Sequence, residues 1–560
     1  MTGFSIPGGY VPGGAPPGPD RLAGRLTVTD LPDGPADYLV ELGSLSPAVT
    51  VEPPSAGQPG GLPVGDTARA GAVTSRTATV LRYGLRGWIG EPEDTALPHV
   101  PYPARLVAPP SLTRAIPVLP EDGARASYTA GELVLRNGDG ALDTVAGDWS
   151  LTGRPAVIRR GPYRAPYRAP YAAFGRTAEL RIVSAVRSAA DRITVALREA
   201  TADLNVPLTG VFAGTGGLEG VASLAGQARP WLGGTVPNIP AVALLPAEAI
   251  YLVGSGAPLA SIEAVRDSGA AYTIVGDVAD LAALRAAAVP AGGCARCLAR
   301  GLVRLGSAPT GQVTVDATAG GSLTHGGIAL DLLRGPGGLP EDRIDAAGWL
   351  TLPPGQAGFY LPRGGTVAEA VEAVVTSCAA WWGGDRLGRV TAGVLPVPEV
   401  VTPTLTLRRW MLDGAPEEVA GVAPRWRQRV GYGRLGVVQE ASALAGLVAA
   451  DPAQAALYGT EYRVATAFDA DIFAAGGATD APVLVSGYRY AADAQALADR
   501  LLARLSVRRR RYRLTLGRWA HLLDLGDGVA VEHSLLAGGR SWFAVKRDEQ
   551  GDDGAVEVWG

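Results

Sequence analysis

The chain has 560 residues, several times the roughly 100–200 of one domain, and its formal net charge of −4 gives no case for an electrostatically driven nucleic-acid binder. Glycine (76) and proline (44) exceed a fifth of the residues while hydrophobic residues hold at 47%, which argues against both a helical bundle and a disordered chain. Three cysteines cannot build a disulfide framework, the N-terminus lacks the charged-then-apolar order of a signal peptide, and no apolar run approaches the roughly 18–20 residues that cross a bilayer. The expectation is a multidomain, mainly β chain with α+β insertions, made in the cytoplasm, with no Sec signal and no membrane span.

Residues 1–24 are Gly/Pro-rich with scattered Phe4, Ile6, Tyr10 and Val11, a composition that cannot form a helix. They read as an extended arm, either a disordered tail or one that orders against a neighbouring subunit. From Arg25 short alternating runs follow, "RLTVTD", "DYLVELG" and "TATVLRYG", the period-two signal of strands between Gly/Pro punctuation. They open a first β domain over 25–205, interrupted by long loops at 52–73 and 161–174. The second loop carries a small repeat, "GPYRAPYRAPYAAF", in which proline every four residues blocks helix and β-ladder alike. Its Arg164, Tyr167, Arg168 and Tyr171 are candidate contact residues for a partner; the plainer reading is an elongated loop joining two strands. "TAELRIVSAVRSAADRITVALREA" then reads as a hairpin.

A mixed module over 206–330 opens on the glycine-dense "GTGGLEGVASLAGQARPWLGGTVPNIPAVAL". Within it "VGDVADLAALRAAAVPAGG" and "CARCLARGLVRLGSA" carry the spacing of short helices, and "GQVTVDATAG" that of a strand. An α+β module over 331–398 has the clearest unit of the chain: Thr366 as N-cap, Glu369 at the capping-box position, apolar positions through Ala379, then a hairpin turning at "GDRLGR". That helix has one apolar face and is expected to pack on a sheet. The last domain, 399–560, contains an amphipathic helix in "DAQALADRLLARLSVRRRRYRL" that leads into a strand, and alternation to the C-terminus.

Candidate chemistry is sparse. In "RNGDGALD" the oxygens of Asn137, Asp139 and Asp143 fall at positions one, three and seven between strand-like flanks, which does not match an EF-hand loop. Asn-Gly and Asp-Gly accept the positive φ of tight turns, so the stretch turns the chain. Cys294 and Cys297 have the spacing of half a zinc site, but the other ligand types, Cys378, His99, His325, His521 and His533, are isolated. On a helix the pair reads as buried small hydrophobes. His521 and His533 near Asp524 and Asp527 lack any nucleophile motif. The basic run at 508–513 reads as a salt-bridged or solvated helix end. No catalytic residue and no cofactor are assigned.

Four segments in order resemble the baseplate hub or tail-tip proteins of long-tailed bacteriophages and gene-transfer-agent-like particles. The first runs from "TVLRYGLRGWIG" through Tyr102–Arg105 and Asn137–Asp143 to Gly153–Val157. The second is Gly214–Val242, the third the capped helix with its hairpin, and the fourth "LDLGDGVAVEHSLLAGGRSWFAVKRDEQGDDGAVEVWG". The resemblance implies two hub-type β-barrel-like domains, at 25–205 and 399–560, in a structural virion protein that is not an enzyme. It further implies a trimer whose six similar domains match a sixfold tail tube at the distal end of the tail, assembled in the host cytoplasm. The implied partners are the distal tail protein, tail tube, tape-measure protein and tail fibre or receptor-binding proteins, with no sequence-specific nucleic-acid binding. Some siphophage relatives hold a four-cysteine iron–sulfur site near the C-terminus; with no cysteine beyond Cys378 this chain departs from that pattern. The competing classes are a virion-associated cell-wall hydrolase, for which Asp139 with Asp143 and Asp524 with Asp527 are the tempting pairs, and a glycan-binding adhesin.

Overall fold

A computed structural model describes residues 36–45, 49–51, 73–75, 78–147, 150–163, 169–403, 405–536, 542–550 and 553–560. The fold is multidomain and mainly β, with several separate sheets and few helices. The first is six-stranded, in the order Ala78–Gly84, Ala36–Leu45, Pro155–Pro162, Gly175–Ala189, Arg192–Arg198, Leu133–Arg136. Alternation along Ala36–Leu45 sends Tyr38, Val40 and Leu42 into a core with Ile158, Leu180 and Ile193, while Leu39 points the other way into an aromatic cluster of Trp88, Tyr102 and Phe174. Gly161 allows that second face to close, because a Cβ there would lie 2.6 Å from the Phe174 ring. The expected hairpin at 175–198 is present.

In the middle of the chain two five-stranded sheets face one another. One contains Trp231–Pro240, Leu259–Asp267, Val313–Ala319 and, from further along the chain, Gly358–Leu361. The other contains Val242–Leu245, Ile250–Leu252, Leu302–Leu305, Gly293–Cys297 and Thr273–Asp277. The first of the two expected helices exists as Leu281–Ala286, N-capped by Asp280, which accepts from the Ala283 N–H at 2.8 Å. The second does not: "CARC" is a strand, followed by a single 3-10 turn and another strand, with Gly301 at φ +59° making the reversal. Cys294, Ala295, Cys297, Leu302, Val303 and Leu305 are all buried, and a short run covered on both faces has no distinguishing period.

The capping box at Thr366 and Glu369 forms as expected, with N–H to oxygen distances of 3.2 and 2.8 Å. The helix Val367–Thr376 ends before Ala379, whose left-handed backbone (φ +54°) starts the hairpin Trp381–Gly384 with Val390–Gly393. Its apolar face is met by the helix His325–Arg334 and by Trp382, Val390 and Ala392 of that two-stranded hairpin. Glu372 locks the packing by accepting from the Trp382 indole N–H at 2.6 Å.

The C-terminal sheet orders Leu405–Leu407, Gly528–Val531, Trp542–Gln550, Asp553–Trp559, Arg509–Thr515 and Glu417–Val422. Two strands from far upstream join it: Ser111–Ala115 pairs with Trp542–Gln550, and Ser127–Ala130 pairs with Ser111–Ala115. This 111–130 hairpin lies in the 25–205 interval by sequence, and its Leu112 still buries in the first core, so it belongs to both units. The expected amphipathic helix, Ala491–Leu505, covers one face of a three-stranded sheet, Arg463–Phe468, Arg425–Tyr432 and Thr479–Val485, through Ala494, Leu497, Ala498 and Leu501.

Candidate functional site

In the 137–143 turn the Asn137 side chain accepts from the Leu142 N–H at 2.7 Å and donates to Asp143 at 2.6 Å, and Gly140 takes φ +69°. Arg105 grips Asp139 with two hydrogen bonds, at 2.9 and 2.7 Å, and Arg187 pairs with Asp143. The Arg105 hydrogen bonds hold the Asp139 carboxyl well below its usual range; hydrogen bonds from Asn137 and then Arg187 lower that of Asp143. Both carboxylates act as anchors of the crossover.

Cys294 and Cys297 stand three apart on a strand, and so face opposite ways. Cys294 lies in the core between the two middle sheets, and Cys297 lies in a second core with Phe212, Leu244 and Leu284. Two sulfurs on opposite faces cannot ligate one ion. Burial pushes the Cys294 thiol up to about 11 and raises that of Cys297. The basic run lies in a strand, with its charges matched across strands and loops: Arg509 with Glu399 at 2.6 Å, Arg510 with Glu418 at 3.4 Å, Arg511 with Glu557 at 3.4 Å, and Arg513 with Asp548 at 2.7 Å.

Asp524 is the centre of a buried ionic cluster. It accepts from Arg114 of the 111–130 hairpin at 2.6 Å, with Arg386 at 3.5 Å and Arg547 at 3.6 Å. Arg386, at the tip of the 381–393 hairpin, also donates to the carbonyls of His521 and Leu523 at 3.0 and 2.6 Å. Arg547 pairs with Glu549, whose other oxygen lies 3.7 Å from His521 Nδ1; Asp527 accepts from the Asp524 N–H at 2.7 Å. Burial works most strongly against the charge on Arg114, but Asp524, Tyr128 and Asp385 together outweigh it and raise the pKa. The cluster pins three segments from distant parts of the sequence to one place, and its Asp524 and Glu549 carboxylates are paired with guanidinium groups.

Of the loop residues, Arg164, Tyr167 and Arg168 lie outside the described residues, and Tyr171 is one of the two feet of the loop. Its hydroxyl donates to Glu41 and its N–H to Asp94 at 2.8 Å; its ring lies 6.0 Å from Trp88 and 6.5 Å from Tyr102, with the Arg159 guanidinium 4.6 Å above. Tyr102 donates to the same Glu41 oxygen at 2.6 Å, and the Trp88 indole donates to the Ala169 carbonyl at 2.9 Å. Burial, then the Glu41 carboxylate, pushes the Tyr171 phenol up to about 12. At the other foot Arg86 sits 4.4 Å over the Tyr163 ring. Both ends of the loop are therefore held on the edge of the first domain. Sequence reading missed Glu41, Trp88, Tyr102 and Arg159 here, and Arg114, Arg386 and Arg547 at the ionic cluster. No local spacing announces contacts made across tens to hundreds of residues.

No family model matches the chain, and no curated protein matches it in sequence. Among solved structures it is similar to the 43 kDa tail protein of prophage MuSo2 from Shewanella oneidensis, at 10% identity and a TM-score of 0.33 over 82% of this chain and 94% of that one. It is also similar to the tail protein from Neisseria meningitidis MC58, at 10% identity and a TM-score of 0.31 over 81% and 91%, and to a prophage tail protein from Listeria monocytogenes EGD-e, at 6% and 0.32 over 80% and 87%.

Proposed function

We propose that the chain is a structural protein of a phage-like tail that forms the hub at its distal end. As a trimer it joins the sixfold tube and distal tail ring to the tip or fibres and closes the DNA channel. The observation that carries this reading is the 111–130 hairpin. It completes the C-terminal sheet by main-chain pairing, buries Leu112 in the first core, and is fastened by the Arg114–Asp524 pair. Main-chain pairing couples the two β units, and a ring under mechanical load requires such coupling within each subunit. The four segments that resemble hub proteins supply the rest of the support.

The two carboxylate pairs give the hydrolase alternative little support. A general acid needs a carboxyl whose pKa is raised, whereas Asp139 and Asp143 are held low by their hydrogen-bond partners and Asp524 faces three arginines. Sedimentation equilibrium of the purified chain tests the proposal, the expected mass being three times the 57.4 kDa of one chain, with binding to a recombinant distal tail ring. A monomer at every concentration, with no ring binding and with peptidoglycan turnover, would reverse the assignment.

A further inference from the structure

Among the described tryptophans only Trp410 is left mostly in solvent, 64% exposed. Its setting is rigid. It sits on the 3-10 turn Arg409–Met411, whose Met411 is buried in the C-terminal core, and its ring packs edge-to-face on Trp519 at 5.1 Å. Arg408 and Arg409 immediately precede it, both exposed; Arg408 has Glu532 at 3.8 Å, and Arg409 has no carboxylate partner among the described residues. The result is an indole knob with surplus positive charge, built from two of the three residue types enriched in interface hot spots.

A cleft of about 310 Å³ opens elsewhere, between the start of Trp231–Pro240, the 254–259 and 319–322 loops and the helix His325–Arg334. Its walls are Trp231, Leu259, Ile328 and Leu332, and much of its floor is glycine main chain. Gly233 lets the Trp231 ring lie against the backbone, since a Cβ there would stand 2.4 Å from that ring. Asp331 is the only charged side chain lining it; one carboxylate oxygen accepts from the Ser322 N–H at 2.7 Å. This volume is at the small end of the roughly 300–1,000 Å³ of small-molecule sites.

We propose that Trp410 of one copy of this chain docks in this cleft of the next copy, with Arg409 against Asp331. The inference rests on the reading of the chain as a ring-forming subunit. Apolar walls match the indole, and a single carboxylate matches a single unpaired guanidinium. Because knob and cleft are different surfaces of one chain, the contact is head-to-tail, the kind that generates a ring when its rotation closes.

Sedimentation equilibrium on the full chain, alongside Trp410→Ala, Arg409→Glu and Ala257→Phe, tests it; Ala257 is exposed and lines the cleft. Trp410→Ala and Ala257→Phe should each weaken self-association by roughly 30-fold or more, the loss typical of an interface hot spot. Adding Asp331→Arg to Arg409→Glu should recover part of the loss. A second measurement reads proximity directly: an Arg408→Cys chain mixed with an Ala257→Cys chain, both keeping Trp410, should give a mixed adduct with a short bismaleimide, Arg408 and Ala257 being exposed and the three native cysteines buried. Wild-type-like assembly of both variants with no mixed adduct overturns the contact while leaving the hub reading intact. A wild-type chain that stays monomeric overturns both.

Discussion

Replacing Arg114 with alanine should loosen the 111–130 hairpin on the C-terminal sheet. The Arg114 side chain is 6% exposed and Asp524 16%, so the substitution leaves a largely buried carboxylate without its closest partner. Removing one member of a buried pair costs about 3–5 kcal/mol. Arg386 and Arg547, at 3.5 and 3.6 Å, still face Asp524 and place the loss near the lower end, about 3 kcal/mol, or roughly a hundredfold in a local opening equilibrium. A chain of several cores does not unfold in one step, so the readout must be local. Amide hydrogen exchange of Ser111–Ala115 and Ser127–Ala130 should accelerate by about that factor while the middle sheets hold. Asp524→Asn in the same background should cost much less than in the wild type, since the two groups share one interaction. Unchanged exchange in the hairpin, or additive losses in the double variant, would refute the reasoning.

Acid should loosen the 137–143 turn. The folded pKa of Asp139 is depressed by Arg105, so its contribution is complete above the unfolded value near 4 and fades as pH falls below it; proteolysis within 137–147 should rise in that window, and Arg105→Ala should weaken the pH dependence, leaving the part that Asp143 carries through Asn137 and Arg187. Burial raises the Cys294 thiol to about 11 and the Cys378 thiol to about 12, so at pH 8 the native chain should resist alkylation and should release three reactive thiols in denaturant; rapid native labelling of a Cys294–Cys297 pair would count against the strand assignment. Deleting residues 164–168 leaves both feet of the loop in place and should spare thermal stability while impairing particle assembly; normal infectivity would discard the loop as a contact surface.

Much of the local structure was legible in the sequence, because its signals pass between residues a few positions apart. Thr366 and Glu369 announce their capping box, Asn137–Asp143 its turn, and 491–505 its apolar stripe, and each forms as read. The "CARC" segment failed for a physical reason: a strand buried on both faces and a short buried helix show the same unbroken apolar run, and only the flanking sheets decide between them. The same holds for the ionic cluster. Arg114 and Asp524 are 410 positions apart, and nothing near either one says that a hairpin from the first domain will complete the last sheet. Composition and periodicity determined that this chain is mainly β and built from several units. Tertiary structure decided which edges pair and which charges meet, because those energies depend on surfaces brought together by the whole fold.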